Sequence, residues 1–495
     1  MGEFDIDKEL ERRLKGEKVI NPAYKNPELA KEIAHNFIKE DLTKEGVLLT
    51  EEKKLRLEKV IFSYFGKQDL ATQIIDIQKL YYDDCKIWWA WDYKEFRWKI
   101  VDETDILNIV NQLSVANTIK GKEKAEILES LKQCSRLRKP NDAKKTWVQF
   151  RDIIVDIETG EEFKVSPHFF VTNPIPYSLH KERYVETPIM DKIFEEWVGK
   201  DYVKTLYEII AYSLLPSYPI NRIFCFIGSG MNGKTCFLNL LRKFIGNTNV
   251  CATELDSLLS SRFEITRLHK KLICMMGETN FNEMKKTSIL KKLSGGDFIG
   301  FEYKNKNPFE DINYAKIIIA TNNLPTTTDK TIGFYRRWFI IDFPNQFSEK
   351  KDIINDIPKE EFESLAVKSL IILKDLLDKR EFYNEGSIEL RKKRYEDKSD
   401  PLEKFIRKFT EEDANGYIWK FEFEKKLNGW CKENNFRQIS EVGIGKKMKE
   451  KGYEQGRIQS EWLIDGQKKQ LRAWLGIKFK GDRRDRQDRQ VNPTQ

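Results

Sequence analysis

RIFCFIGSGMNGKTCFLNLL, residues 222–241, sets an apolar run against three glycines within six positions, then Lys-Thr and a second apolar stretch. Arg222 to Ile227 has the length and composition of a short buried strand, and Cys236 to Leu241 continues with helical spacing. The spacing therefore predicts a glycine loop between a strand end and a helix N-terminus. Gly228, Gly230 and Gly233 allow backbone angles closed to other residues, so that successive N–H groups can turn inward around oxygen anions. Lys234 adds a point charge. Thr235 offers a hydroxyl that can ligate magnesium, and the helix dipole adds positive potential. The whole string, Gly228-Ser229-Gly230-Met231-Asn232-Gly233-Lys234-Thr235, has the G-x-x-x-x-G-K-T form of a phosphate cradle. The alternative is a structural glycine turn.

The chain has 495 residues, enough for about three domains at the usual ~150 residues each. A hydrophobic fraction of 40% and a charged fraction of 34% suit a protein rich in exposed helix. No stretch approaches the roughly 18 uninterrupted apolar residues of a membrane span, and the start MGEFDIDKELERRLKGEK lacks a signal-peptide core. The expectation is a cytoplasmic protein with no membrane partner. Met1-Gly2 admits myristoylation, but Asp5 and its acidic surroundings favour an ordinary start. The seven cysteines form no C-x-x-C pair and read as reduced buried thiols, and the four scattered histidines make no zinc set with them. The net charge of +8 is consistent with a polyanionic partner without requiring one.

Along the chain, residues 1–80 read as polar helices. LYYDDCKIWWAWDYKEFRWKIVDE (80–103) follows as two aromatic strands around a DYKE turn. Its aromatics, interleaved with Lys86, Arg97 and Lys99, could stack on single-stranded bases. A half-buried hairpin is the favoured reading, since Trp and Tyr are good strand residues. A charged helical stretch spans 102–139, and short strands occupy 147–177. Helical patterns from Pro188 to Leu215 lead into the glycine loop. Beyond it, KLICMMGE (271–278), AKIIIATNN (315–323) and RRWFIIDF (336–343) predict further strands of a largely parallel sheet in a three-layer α/β core. A helix over 362–377 closes that region, and the charged segment ELRKKRYEDKSDP separates it from a C-terminal unit. There two helices precede a hairpin predicted from SEWLIDG and QLRAWLGIKF. The tail GDRRDRQDRQVNPTQ has no apolar content beyond a single valine and is expected to be disordered.

A phosphate loop alone could serve a kinase, a GTPase or a motor, so the later strand ends decide. Glu278 ends one apolar run, where its carboxylate could polarise water or help to hold magnesium. Asn322 ends another, where a neutral amide could orient the attacking water. Arg336 and Arg337 follow a polar loop and precede a strand, a position from which a guanidinium could reach a neighbouring subunit's nucleotide. Each has a plain alternative, a solvated strand end or a surface ion pair.

Taken in order, GSGMNGKT, KKLICMMGE, LKKLSGGDFIGFEYKNKNPF, AKIIIATNNLP and GFYRRWFIIDFP resemble the superfamily 3 helicases of AAA+ architecture. The resemblance is narrower to the helicase half of phage, plasmid and poxvirus-type primase-helicases, and it covers about three quarters of the chain. It implies an α/β fold: a three-layer AAA+ P-loop ATPase core (186–385), an α+β N-terminal region (1–185), a winged-helix C-terminal domain (386–480) and a disordered tail (481–495). It also implies ATP and Mg2+ as cofactors, a hexameric ring, and single-stranded or forked DNA as partner. A separate primase or other replication proteins would act beside it, since the first 180 residues show neither an acidic polymerase triad nor a zinc-binding stem. By the same resemblance Lys234 and Thr235 bind phosphate and magnesium, Glu278 is the motif B acid, which would also touch the metal, and Asn322 is sensor 1. Arg336 or Arg337 would be the arginine finger, and Lys304 and Lys306 the basic element of a DNA-gripping hairpin. Gly277 stands where a second motif B acid often stands, leaving Asp297 or Glu283 to assist. The implied function is ATP-dependent DNA unwinding in the replication of a virus, plasmid or integrated element. A remodelling or packaging motor and an origin-binding initiator are the alternatives.

Overall fold

Two units make up the chain: residues 1–179 with Gly300–Asp311, and residues 180–299 with 312–495. A computed structural model describes residues 67–113, 121–151, 153–179, 186–277, 283–284, 286–348, 353–433, 436, 438–460, 468–481 and 492–493. The polar helices expected before residue 67 lie outside the described residues.

In the first unit, β1 (Leu80–Tyr82), β2 (Trp88–Asp92) and β3 (Arg97–Val101) form an antiparallel meander. Successive side chains on a strand point to opposite faces. Trp88 and Ala90 accordingly pack with Ile106, Val110 and Leu131 from two helices, Glu103–Leu113 and Gly121–Arg136. Trp89 and Trp91 face the other way and join Trp98, Ile154 and Val171. Trp88, Trp89, Trp91 and Trp98 are all at most 3% exposed, so both faces of the meander are core and the base-stacking reading fails here. Short strands follow: β4 (Asn141–Asp142), β5 (Trp147–Gln149), β6 (Ile153–Asp156), β7 (Glu162–Lys164) and β8 (Phe169–Phe170). β5, β6 and β7 form an antiparallel sheet, while β4 pairs with β8.

The second unit is built on β9 (Ile223–Ile227), β10 (Val250–Thr253), β11 (Ile273–Met276), β15 (Lys316–Thr321) and β17 (Trp338–Asp342). Minor strands β12 (Glu283–Met284), β13 (Phe298–Phe301), β14 (Phe309–Ile312) and β16 (Thr326–Thr327) lie between them in the sequence. The five pair in parallel in the order β10-β11-β15-β9-β17. Every residue of β9 and β15 is buried, which explains their near-continuous apolar character. β10 carries no strong apolar run; it pairs with β11 at the edge of the sheet, with Cys251 as its buried residue. Helices cover both faces. Phe224 and Phe226 meet Tyr212 and Phe237 on one side, and Trp338 meets Tyr395 of helix Ile388–Ser399 on the other, ring centroids 4.8 Å apart. The charged segment read as a separator therefore carries a fully buried tyrosine into this core.

The C-terminal part runs helix Pro401–Phe409, β18 (Thr410–Trp419), helix Lys420–Glu433, helix Glu441–Glu450, β19 (Glu454–Gln459) and β20 (Gln470–Phe479). The strand that pairs with QLRAWLGIKF is EQGRIQ, while SEWLIDG, apart from Ser460, lies outside the described residues. EQGRIQ alternates: Gly456 and Ile458 turn inward while Arg457 and Gln459 face solvent. The tail also departs from expectation at one place. β21 (Asn492–Pro493) pairs with Gly456 and Arg457 of β19, the backbone supplying the hydrogen bonds that need no apolar side chain.

Two buried charge sites fasten the second unit. Glu385 accepts from Arg222, which leads into β9, and from Arg391 at 2.7 Å. Removing one partner from such a buried set costs about 3–5 kcal/mol. Lys316, the first residue of β15, is fully buried. Its Nζ donates to Ser217 O at 2.8 Å and to Leu215 O, capping the turn after helix Lys200–Tyr212. Burial holds this ammonium well below the ordinary lysine range. The unfolded chain therefore binds more protons than the folded one between that lowered value and the ordinary lysine value of 10.5, so the residue's contribution to stability rises with pH across this window. The melting temperature of the wild type relative to Lys316→Met should rise between pH 7 and pH 9.5. A pH-independent difference would show that the ammonium carries no such linkage.

Candidate functional site

The glycine loop leaves β9 at its C-terminal end and enters helix Lys234–Ile245, as the sequence spacing predicts. Gly230 (φ 104°), Met231 (φ 48°) and Gly233 (φ 88°) lie in the left-handed region, a sequence of backbone turns that curls the loop. Two glycines are also required by space. A Cβ at Gly228 would lie 2.6 Å from Phe343 O, and one at Gly233 would lie 2.5 Å from the Trp197 indole. Met231 at the loop tip is 60% exposed and Thr235 is exposed, so the outer side of the loop is open.

Lys234 is buried and its ammonium closes the inner side. Nζ donates to Gly228 O at 2.6 Å, to Asn232 Oδ1 at 3.0 Å and to Asn322 Oδ1 at 3.3 Å. The last contact follows from the sheet order: β15 lies directly beside β9, with Thr321 opposite Ile227, so the residue after Thr321 reaches the loop. Thr321 Oγ1 donates to Asn323 O at 2.9 Å, turning the chain as it leaves the strand. Two of the expected site residues, 88 positions apart, are thus brought together.

β11, the neighbour of β15 on its other side, ends at Met276 with Gly277 exposed after it. Glu278 lies outside the described residues, as does the side chain of Glu283. The charge of Asp297 acts on Arg337.

The paired arginines part ways. Arg337 is buried and committed to its own chain, donating to Ser294 Oγ at 3.1 Å, to Lys291 O at 3.3 Å and to Gly333 O. Burial and the adjacent Arg336 charge depress its pKa. Arg336 is exposed at the end of the short helix Ile332–Tyr335, and Ile332, one turn earlier, is 69% exposed. Lys304 and Lys306 are exposed on either side of Asn305, whose φ of 63° makes the turn between β13 and β14. They belong to the first unit, where Tyr303 and Phe309 stack with centroids 6.0 Å apart and pack on the cluster of Trp89, Trp91 and Trp98.

Two features of the loop escaped sequence reading. Trp197 backs Gly233 from helix Pro188–Val198, stacked on Phe194 at 5.8 Å. Its place on the apolar face of that helix was legible, but its register against the loop was not. The segment after β17 also clasps the loop. Phe343 N donates to Ile227 O (2.7 Å), Asn232 Nδ2 to Phe343 O (3.2 Å), Gln346 Nε2 to Ser229 Oγ (3.1 Å) and Phe347 N to Met231 O (2.7 Å). No motif marks that segment.

No helix among the described residues is long and apolar enough to cross a membrane. Two family models match the chain: "D5 N terminal like" over residues 33–200, and "Family of unknown function (DUF5906)" over 226–337, which takes in the glycine loop and both arginines. An inferred helicase of Acanthamoeba polyphaga mimivirus, L207/L206, is 23% identical over 282 residues. That alignment takes in 53% of this chain and 28% of the mimivirus protein, so the chain spans under a third of that relative's length. Among solved structures, the apo NrS-1 C-terminal region (305–718) aligns with 83% of this chain and 99% of its own, at 15% identity and a TM-score of 0.44. The A form apo structure of the same region aligns at 15% identity and a TM-score of 0.41. The chain is a D5_N- and DUF5906-containing protein, related to the poxvirus- and phage-type primase-helicases of superfamily 3.

Proposed function

We propose that this helicase-family protein is an ATP-driven DNA helicase that assembles into a hexameric ring and translocates on single-stranded DNA. The observation that carries the reading is the meeting of the Lys234 ammonium with the Asn322 amide across two adjacent parallel strands. Numbered from the loop strand, the sheet order is 5-1-4-3-2, the arrangement expected of an AAA+ core, with the loop and Asn322 at the carboxyl ends of the strands where α/β sheets bind ligands. The helix, strand, helix, helix, strand, strand order after Pro401 supports a winged-helix reading of the C-terminal part.

The residues present fit a magnesium-bound nucleoside triphosphate. The left-handed turns at 230, 231 and 233 curl the backbone as an anion cradle requires, at the start of a 12-residue helix. When bound, the triphosphate would supply a terminal phosphoryl group whose transfer to water, with cleavage of the β–γ phosphoanhydride bond and the diphosphate as leaving group, releases the driving energy. Lys234 would exchange its carbonyl and amide acceptors for phosphate oxygens, and Thr235, with Glu278, would hold the metal. Asn322, freed from Lys234, would orient water beside Glu278. Arg336 is the better finger, because it is exposed while Arg337 is bound within its own chain. The exposed Ile332 beside Arg336 supports a second copy docking on that face. Lys304 and Lys306 would grip the backbone of the translocated strand.

Lys234→Ala should abolish ATP hydrolysis and fork unwinding while leaving the melting temperature near that of the wild type. Mixing Lys234→Ala subunits with Arg336→Ala subunits should restore part of the hydrolysis through mixed interfaces, and mixing with Arg337→Ala should not. Rescue by neither arginine variant would defeat the trans assignment. Strand-stimulated hydrolysis without unwinding of any fork would favour a remodelling motor.

Trp197 gives a separate test. Trp197→Ala removes the wall behind Gly233, and the loop should lose its shape before its chemistry. KM for ATP is expected to rise on the order of tenfold with kcat changed less, and Trp197→Phe should recover most of the loss. An equal fall in kcat and kcat/KM would place the effect on the reaction step instead.

A further inference from the structure

β19 and β20 pair antiparallel with Arg457 directly opposite Arg472. Partners in such a pair share a face with their Cβ atoms about 4.5–5.5 Å apart, and like charges so placed are destabilising. Both arginines are exposed. The same face carries Gln459 opposite Gln470 on one side of them and Gln455 opposite Trp474 on the other. Trp474 is 1% exposed, and the Lys420 Nζ lies 4.5 Å from its ring centroid. Lys420 starts helix Lys420–Glu433. Its pKa is depressed by burial and by the positive charges of Arg472 and Lys449, with Glu441 acting in the opposite sense. Lys449 is exposed on helix Glu441–Glu450.

Four cations, Lys420, Lys449, Arg457 and Arg472, thus form a ridge from that helix to the terminal hairpin. Several other cations in this part of the chain have acids at hand, among them Lys447 with Asp400, Lys451 with Glu403, Lys478 with Asp413 and Lys426 with Glu422. Among the described residues, none of the four ridge cations has a carboxylate within ion-pair distance of 4.0 Å. Such a ridge opposes folding by self-repulsion and is neutralised by a rigid row of anions.

We propose that this ridge is a docking surface for the phosphate backbone of duplex DNA, separate from the glycine loop and from the Lys304/Lys306 turn. The duplex is favoured over a single strand by the face itself. Its aromatic side chain, Trp474, is buried beneath Lys420, so no base-stacking platform is offered, whereas guanidinium and amide groups on a fixed sheet suit a regular phosphate row. The contact requires no nucleotide, so it stands or falls apart from the ATPase reading.

The test uses the full chain and a fluorescent 25-base-pair duplex of mixed sequence, with anisotropy measured over a salt series in the absence of nucleotide. Arg457→Ala with Arg472→Ala should weaken duplex binding tenfold or more at low salt. The slope of log affinity against log salt should fall by about 2, since each lost phosphate contact contributes roughly 0.9. Arg457→Lys with Arg472→Lys should retain most of the salt slope. The alanine pair relieves like-charge repulsion, so its melting temperature should equal or exceed the wild type's, which separates lost contact from lost fold. Binding to a 25-nucleotide single strand and ATP hydrolysis should be unchanged. Unaltered duplex affinity overturns the proposal, and so does an equal loss on duplex and single strand.

Discussion

The insertion of β15 between β9 and β11 is the constraint on which the second unit depends. Parallel strands cannot be joined by tight turns, so each crossover must leave the sheet, pass through helix and return. The chain uses that freedom to place a strand from residues 316–321 directly beside the strand that carries the glycine loop. The contact of Lys234 with Asn322, the alignment of their strand ends and the position of Gly277 one strand further on all follow from this placement. Because β9 and β15 are buried on both faces, a register slip would expose nothing polar to correct it. At the start of β15 the strand is tied by Lys316, whose Nζ donates to the carbonyls of Leu215 and Ser217.

Buried charge serves position throughout this unit. Glu385 ties the entry of β9 to the segment after helix Lys359–Lys379 through Arg222 and Arg391. Arg337 ties the end of helix Ile332–Tyr335 to the carbonyl of Lys291 and the hydroxyl of Ser294. Each pays a desolvation cost that apolar packing would avoid, and each fixes an angle that apolar packing leaves free. Arg337 is thereby removed from the surface, and its neighbour Arg336 is left as the outward-facing guanidinium.

Much of this unit is legible in the sequence. The strand at 223–227, the helix after the loop and the strands over 273–276, 316–321 and 338–342 were signalled by runs of apolar residues bounded by glycine or polar turns. The aromatic hairpin was legible as strands, and alternation explains why its tryptophans divide between two cores. What failed were segments without side-chain signature. β10 and β21 carry few apolar side chains and show themselves by backbone pairing, and β19 alternates only weakly. Trp197 and the clasp from Phe343 to Phe347 act through register and main-chain atoms, which periodicity does not reveal.

By itself the sequence determined local conformation and chemical inventory: which runs are buried, where glycine must turn, and which lysine, asparagine and arginines stand at strand boundaries. These are short-range properties, set by side-chain period and by the steric limits of each residue. Only the tertiary structure decided which of those residues meet. That Lys234 faces Asn322, that Arg337 turns inward while Arg336 does not, and that Arg457 lies opposite Arg472 depend on strand order and register. Those are fixed by the packing of the whole sheet, not by any residue's own preference.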